Sequence, residues 1–370
     1  GTLMRVAIDA MLDELDPYTV YYPESRIEDI RFMNTGEYGG IGALVQPIEG
    51  AMTIVEVYDG YPAHEAGMKP GDVVRDVDGR TVDPDIDSEA VSDRPQGESG
   101  SSVTVVVERP YGGGRIEFEV ERTKVRIPAV TYSGMLDDRT GYIYLSKFTR
   151  GSAGEVRKAL LALRDSAGME QLVLDLRGNG GGLLNESVSI VNLFVPKGTE
   201  IVSTKGKSEK WNKSYVALGR PTAPDLPLVV LIDGQSASAS EIVSGTLQDL
   251  DRAVIVGMES FGKGLVQQTK DMAFNTRLKV TVAKYYTASG RCIQRLDYGG
   301  QRDAQGKAQA LSDSLLRTFE TLGGRPVIEG RGIQPDIQVE TPFMSTLLER
   351  LLDDHAVFGY ATAVASRLDS

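Results

Sequence analysis

A single cysteine, Cys292, and two histidines, His64 and His355, stand among 370 residues. One thiol excludes an internal disulfide and any zinc site built on cysteines. With two imidazoles, any Ser–His, Cys–His or zinc–His chemistry must run through one of them. Positive charge is also short: 40 Lys and Arg against 52 Asp and Glu leave a net charge of −12. A nucleic-acid or anionic-membrane surface needs a basic patch, so neither partner is expected. No apolar run approaches the roughly 20 residues of a transmembrane helix. No secretory leader is legible, and the chain already begins in what reads as a helix, as a trimmed chain would. What is present is ordinary for a soluble globular protein: 41% hydrophobic and 25% charged residues, with length for two or three domains.

Met4, Ile8, Met11, Leu12 and Leu15 recur at helical spacing, and Asp16-Pro17 stops the pattern. The bland reading is a packing or dimer helix. Residues 18–36 show no clear period, so 1–36 reads as an N-terminal helical segment. From Tyr38 the texture changes to short strands and tight turns. Tyr38-Gly39-Gly40-Ile41-Gly42-Ala43-Leu44-Val45 is a glycine-rich turn running into a strand. Pro62 to Gly67 reads as a short helix, Asp78-Gly79 as a hairpin turn, and 88–94 as a weak helix. The compact β-rich module spans 37–124, with 123–128 as a connector.

This module resembles a PDZ domain, through Gly40-Ile41-Gly42-Ala43 and Pro62-Ala63-x-x-Ala66-Gly67-Met68-Lys69-Pro70-Gly71-Asp72. The resemblance implies a carboxylate-binding loop at Gly40, Ile41 and Gly42. A strand beginning Ala43-Leu44 would accept a peptide as an added strand. His64 falls in the short helix, where a surface residue is expected.

Beyond the connector, strands and helices alternate: strand 141–148, helix 153–167, strand 171–176, helix 184–194, strand 227–232, helix 238–249, and strands 253–256 and 278–286. The alternation predicts an α/β core, over 125–345, with a largely parallel sheet. Residues 299–324 read as a polar surface insertion. Residues 346–370 read as a C-terminal helical segment, and Cys292 as a buried small residue.

Two stretches of the core carry chemistry. Leu176-Arg177-Gly178-Asn179-Gly180-Gly181-Gly182 joins a strand to a helix start, and amides bared by glycines there can bind an anion or a transition-state oxyanion. Residues 231–268 hold three serines, Ser236, Ser238 and Ser240, at a helix N-terminus, and Lys263 in a glycine-flanked loop. A P-loop reading of Gly257 to Lys263 fails at Gly264, where a hydroxyl should bind magnesium. A Gly-x-Ser-x-Gly elbow at Gly234 lacks its last glycine and would need His355. A Ser–Lys pair needs no histidine, provided desolvation leaves the lysine neutral.

Ser-Ala-Ser-Ala-Ser-Glu-Ile, Gln-Asp-x-x-Arg-Ala-x-Ile-Val-Gly and Phe-Gly-Lys-Gly-x-Val-Gln resemble the signature of the carboxy-terminal processing, or tail-specific, proteases. The resemblance extends over nearly the whole chain, from Leu15-Asp16-Pro17-Tyr18 to Gly332-Ile333-x-Pro335-Asp336. It departs at Ala288 and Gly180, where proline is common. It implies a Clp-protease/crotonase-like α/β core with an inserted or preceding PDZ domain. It implies Ser238 as nucleophile, Lys263 as base, Gln267 orienting that base, and an oxyanion hole from the N–H groups of Gly182 and Ala239. Ser236 and Ser240 would pack or cap. The implied activity is endoproteolysis at or near protein C-termini, without metal or cofactor. The partners would be substrates with free C-termini, and a homo-oligomer or an activating adaptor is compatible. The implied location is the periplasm or the outer side of the inner membrane. Two further readings stay open: a PDZ peptide-binding protein with a resting or inactive peptidase core, and, on fold alone, a crotonase-like acyl-CoA enzyme.

Overall fold

A computed structural model describes residues 2–82, 97, 99–303, 306–340 and 344–368. The chain divides into two compact units: residues 1–36 with 128–341, and residues 37–127 with 342–370. The β-rich module is thus inserted into the chain of the larger unit. The expected helix at 88–94 lies outside the described residues.

The larger unit is built on a six-stranded sheet in the order 130–135, 140–145, 171–175, 228–232, 254–257, 337–338. The first pair is antiparallel and every later pairing is parallel. Its central strands, Gln171–Asp175 and Leu228–Ile232, are nearly continuous apolar runs. Strands covered on both faces require that composition. Leu172, Leu174, Val230, Ile232 and Ile255 pack with Val156 and Leu160 of the helix Ser152–Ala167 and with Val243 and Leu247 of the helix Ala239–Asp249. Three neighbouring strands end on one edge, and each opens into a loop: 176–183, 233–238 and 258–264. Loops at the carboxyl ends of parallel strands are where α/β sheets place their sites.

The expected strand at 278–286 belongs to a different sheet. Thr276–Thr287 lies in an antiparallel sheet with Val20–Tyr22, Glu200–Gly206 and Leu265–Met272, and Lys213–Val216 extends it. Its partner Leu265–Met272 returns through a tight turn in which Phe274 and Asn275 both have positive φ. A hairpin of this kind cannot continue a parallel ladder. The aperiodic stretch 18–36 therefore contains a sheet strand, followed by the helix Ile27–Thr35. The insertion at 299–324 carries small strand pairs rather than an unstructured loop.

The smaller unit is an antiparallel sheet in the order 43–48, 51–57, 73–77, 102–109, 114–121. Its core gathers Ile41, Ile54, Met68, Val74, Val105 and Val107. The expected connector at 123–128 is instead a strand, Thr123–Arg126, paired with Glu37–Gly40. The helices Thr346–Asp353 and Ala356–Leu368 fall in this same unit, where the Tyr111 hydroxyl donates to the Gly359 carbonyl at 3.4 Å.

Candidate active site

Asn179 organises the glycine loop from beneath. Fully buried, its amide donates to the Leu145 carbonyl at 2.7 Å, and its oxygen accepts from Gly181 N–H at 2.9 Å. The loop passes close to the serine turn. A Cβ on Gly181 would lie 2.7 Å from the Ala237 carbonyl oxygen and 2.9 Å from Ser238 Cβ, so only glycine fits. Ser236 and Ser240 are fully buried; their hydroxyls donate to the carbonyls of Leu176 and Asn179, both at 2.8 Å. They hold the serine turn against the glycine loop.

Ser238 differs from both. It caps the helix Ala239–Asp249 with φ 55° and ψ −108°, a region costly for a residue with a side chain. Among the described residues, no acceptor stands against the N–H groups of Gly182 or Ala239. Phe148 pairs with this loop through Gly181 oxygen and Leu183 N–H, leaving the Gly182 N–H out of the ladder.

Glu241 joins the two halves of the site. Its carboxylate is fully buried and accepts four hydrogen bonds. Ser238 N–H donates at 2.7 Å, Gly262 N–H at 2.7 Å, Lys263 N–H at 2.9 Å, and the Ser260 hydroxyl at 2.5 Å. The Ser260 oxygen in turn accepts from Ile333 N–H at 2.7 Å. Its proton is thereby left for Glu241. Burial pushes the Glu241 carboxyl up, and the four donors act the other way. Below it, the buried Tyr285 hydroxyl lies against two backbone carbonyls, 3.1 Å from that of Ser238 and also in hydrogen-bond reach of that of Lys263.

Burial lowers the Lys263 amine to about 8, aided by the charge of Lys279 and opposed by Glu241 and Asp16. Its Nζ sits over the Tyr18 ring, 4.1 Å from the centroid. Ser238 and Lys263 thus share one scaffold, but among the described residues no hydrogen bond joins their side chains. Gln267 is on the strand after Lys263, and its amide donates to Thr281 Oγ1 at 3.3 Å, not to Lys263. A bulge between Val266 and Gln267 interrupts strand alternation there.

Glu241 and Tyr18 were not singled out from sequence. Ser238-Ala239-Ser240-Glu241 does carry the Ser-x-x-Glu capping signature, which was the available signal for Glu241. Tyr18 stands in the Leu15-Asp16-Pro17-Tyr18 motif of the family resemblance, which by itself assigns the residue no role. Both histidines fall in the smaller unit, and His64 is exposed, with Gly60 N–H donating to its Nδ1 at 3.2 Å. In that unit Ile41 is buried. Gly42 has φ 82°, and a Cβ there would lie 2.3 Å from Tyr61 Cβ. Ala43 and Leu44 begin an edge strand that, among the described residues, pairs only with Ala51–Val57.

Comparison with known proteins identifies the family. The model of peptidase family S41 matches residues 139–304, and a PDZ-domain model matches 53–109. A carboxy-terminal-processing protease of Bartonella bacilliformis is 36% identical over 79% of this chain and 67% of its own length. A CtpA-like serine protease of Staphylococcus aureus (strain bovine RF122 / ET3-1) is 31% identical over 93% of this chain, which spans only 62% of that relative. The crystal structure of a Bacteroides fragilis protein described as an S41 protease aligns over 95% of this chain and 87% of its own. The TM-score is 0.50 at 14% identity, a likeness of fold alone.

Proposed function

The chain belongs to peptidase family S41, the carboxy-terminal-processing serine proteases, and from that premise we propose that Ser238 and Lys263 form its working pair. Neutral Lys263 takes the Ser238 proton as the hydroxyl oxygen attacks the scissile carbonyl carbon. The resulting oxyanion sits between the N–H groups of Gly182 and Ala239. The lysine ammonium then gives its proton to the departing amine. Water, activated by the same lysine, hydrolyses the acyl-enzyme. Gln267 orients the amine once it turns toward Ser238. No step calls for a metal or cofactor.

The observation that carries this reading is the Glu241 carboxylate, which holds the backbone N–H groups of Ser238 and Lys263 on one buried anchor. A substrate tail binds the smaller unit, its carboxylate at Gly40, Ile41 and Gly42 and its backbone along Ala43 and Leu44. That strand, which among the described residues pairs only with Ala51–Val57, supports this role. The substrates are proteins with free C-termini. The place of work is the periplasm or the outer side of the inner membrane, as the family resemblance implies; cell fractionation tests it.

Labelling with a fluorophosphonate, followed by mapping of the modified residue, tests the assignment. Modification of Ser238 is expected. A chain that binds C-terminal peptides but takes no label would instead be a peptide-binding protein with a resting core.

A further inference from the structure

The turn Asp16–Thr19 belongs to the same compact unit as Lys263, and its own hydrogen bonds hold it firmly. Asp16 is buried. One of its carboxylate oxygens accepts from the N–H groups of Tyr18 and Thr19, both at 2.9 Å, and the other from the Thr19 hydroxyl at 3.0 Å. The strand Val20–Tyr22 then locks the turn onto Thr276–Thr287, pairing Val20 with Lys279. Tyr298 meets the Tyr18 ring edge-on, with centroids 5.9 Å apart and planes at 85°. Over the Tyr18 ring lies Lys263 Nζ, 4.1 Å from the centroid. That distance is within the range where a ring quadrupole attracts an ammonium.

We propose that Tyr18 is a positioning residue of this site: its ring face holds the Lys263 ammonium, keeps the charged base off Ser238, and releases it once it is neutral. The proposal rests on Lys263 being the base. A neutral amine has little attraction to the ring, so the ring contact and the bond to Ser238 favour opposite protonation states. The other charged and titratable groups facing Lys263 are Glu241 on its helix, Asp16 on the turn and Lys279 on the neighbouring strand. Tyr18 is held as the neutral phenol, its acidity suppressed by burial first and by the hydrogen bond to Tyr298 second.

The sign of the effect follows. An aromatic face favours the ammonium relative to an aliphatic wall of similar bulk. Tyr18→Leu keeps the wall and removes the quadrupole, so Lys263 should lose its proton at lower pH. Tyr18→Trp strengthens the attraction and should act oppositely. The cavity of about 260 Å³ bordered by Tyr18, Phe261, Leu296 and Tyr298 gives the larger ring room.

The test is the rate of fluorophosphonate labelling of Ser238 against pH in the full chain, which needs no identified substrate. The wild-type rate should be half-maximal near pH 8, at the titration of Lys263. Tyr18→Leu should move that midpoint down by roughly half to one unit, and Tyr18→Trp should move it up. Tyr18→Phe, which keeps the ring face, should hold the wild-type midpoint. A midpoint unmoved in both Leu and Trp variants overturns the proposal and leaves Tyr18 a packing residue, whatever happens to the maximal rate. Should Tyr18→Leu not fold, as thermal melting would reveal, Trp against Phe decides alone. Lys263→Ala separates this from the reading beneath it. Its labelling should be lost at every pH. A Lys263→Ala chain that labels with the wild-type profile would remove the base itself.

Discussion

Ser238 spends its conformational strain where the chemistry is proposed to be. Its φ of 55° and ψ of −108° cost on the order of 1–3 kcal/mol for a residue with a Cβ. Ser238→Ala keeps the strain and should lower proteolysis by roughly 10⁴–10⁶-fold. Ser238→Gly should be equally inactive yet melt higher than Ser238→Ala, by about 1 kcal/mol. Equal denaturant midpoints for the two would mean the turn is unstrained. Lys263 gives a second residue-scale prediction. Its folded value of about 8 lies below the ordinary 10.5. Between those values the unfolded chain holds a proton that the folded chain has released. The lysine therefore costs stability in full below pH 8, and that cost lifts as pH rises from about 8 toward 10.5. Peptidase activity should fall as pH drops through the same value of about 8. Lys263→Arg should be inactive throughout, since a guanidinium keeps its proton. Lys263→Met should be inactive but more stable at neutral pH, by roughly 1–2 kcal/mol. Turnover by the Arg variant would rule the lysine out as base.

At the scale of elements, the helix Ala239–Asp249 does two tasks through one residue. Its first turn leaves N–H groups without intrahelical partners. Glu241 turns back to the Ser238 N–H and reaches across to the loop of Lys263. Four donors on one carboxylate leave no position for an amide nitrogen. Glu241→Gln would face N–H groups with an NH₂ and strand buried donors, at a cost of about 3–5 kcal/mol. Because both proposed catalytic residues hang from this anchor, fluorophosphonate labelling should fall along with the denaturant midpoint. A Gln variant that is less stable but labels at the wild-type rate would show that Glu241 holds the fold and not the pair.

At the scale of the whole molecule, one chain carries a peptidase unit and an inserted PDZ unit, each with its own core. In a Ser238→Ala chain, which should bind without cutting, peptides ending in a free carboxylate are expected to bind more tightly than their C-terminal amides, by roughly tenfold or more. Equal affinities would remove the carboxylate loop from Gly40–Gly42. Gly42→Val should weaken binding too, because its φ of 82° and the nearby Tyr61 leave no room for a side chain.

Local chemistry determined a good deal. The apolar runs read as strands at 171–176 and 227–232 form buried strands at 171–175 and 228–232, and the glycine loop and the Ser and Lys motifs could be read where they stand. So could the Asp78-Gly79 turn, where φ is positive at both residues. Tertiary structure alone decided the rest. Thr276–Thr287 has a strand's composition, but its choice of an antiparallel sheet depends on partners far away in the chain. Glu241 shows in sequence as a helix cap; its reach to Gly262 and Lys263 exists only once two strand ends lie side by side. Tyr18 stands in a recognisable motif, but its contact with Lys263 shows no signal, because a ring face meets a lysine through space and leaves no spacing to read. Periodicity and spacing record what a residue does with its near neighbours in the chain, and the environment of Lys263 is made by residues that folding brings from elsewhere.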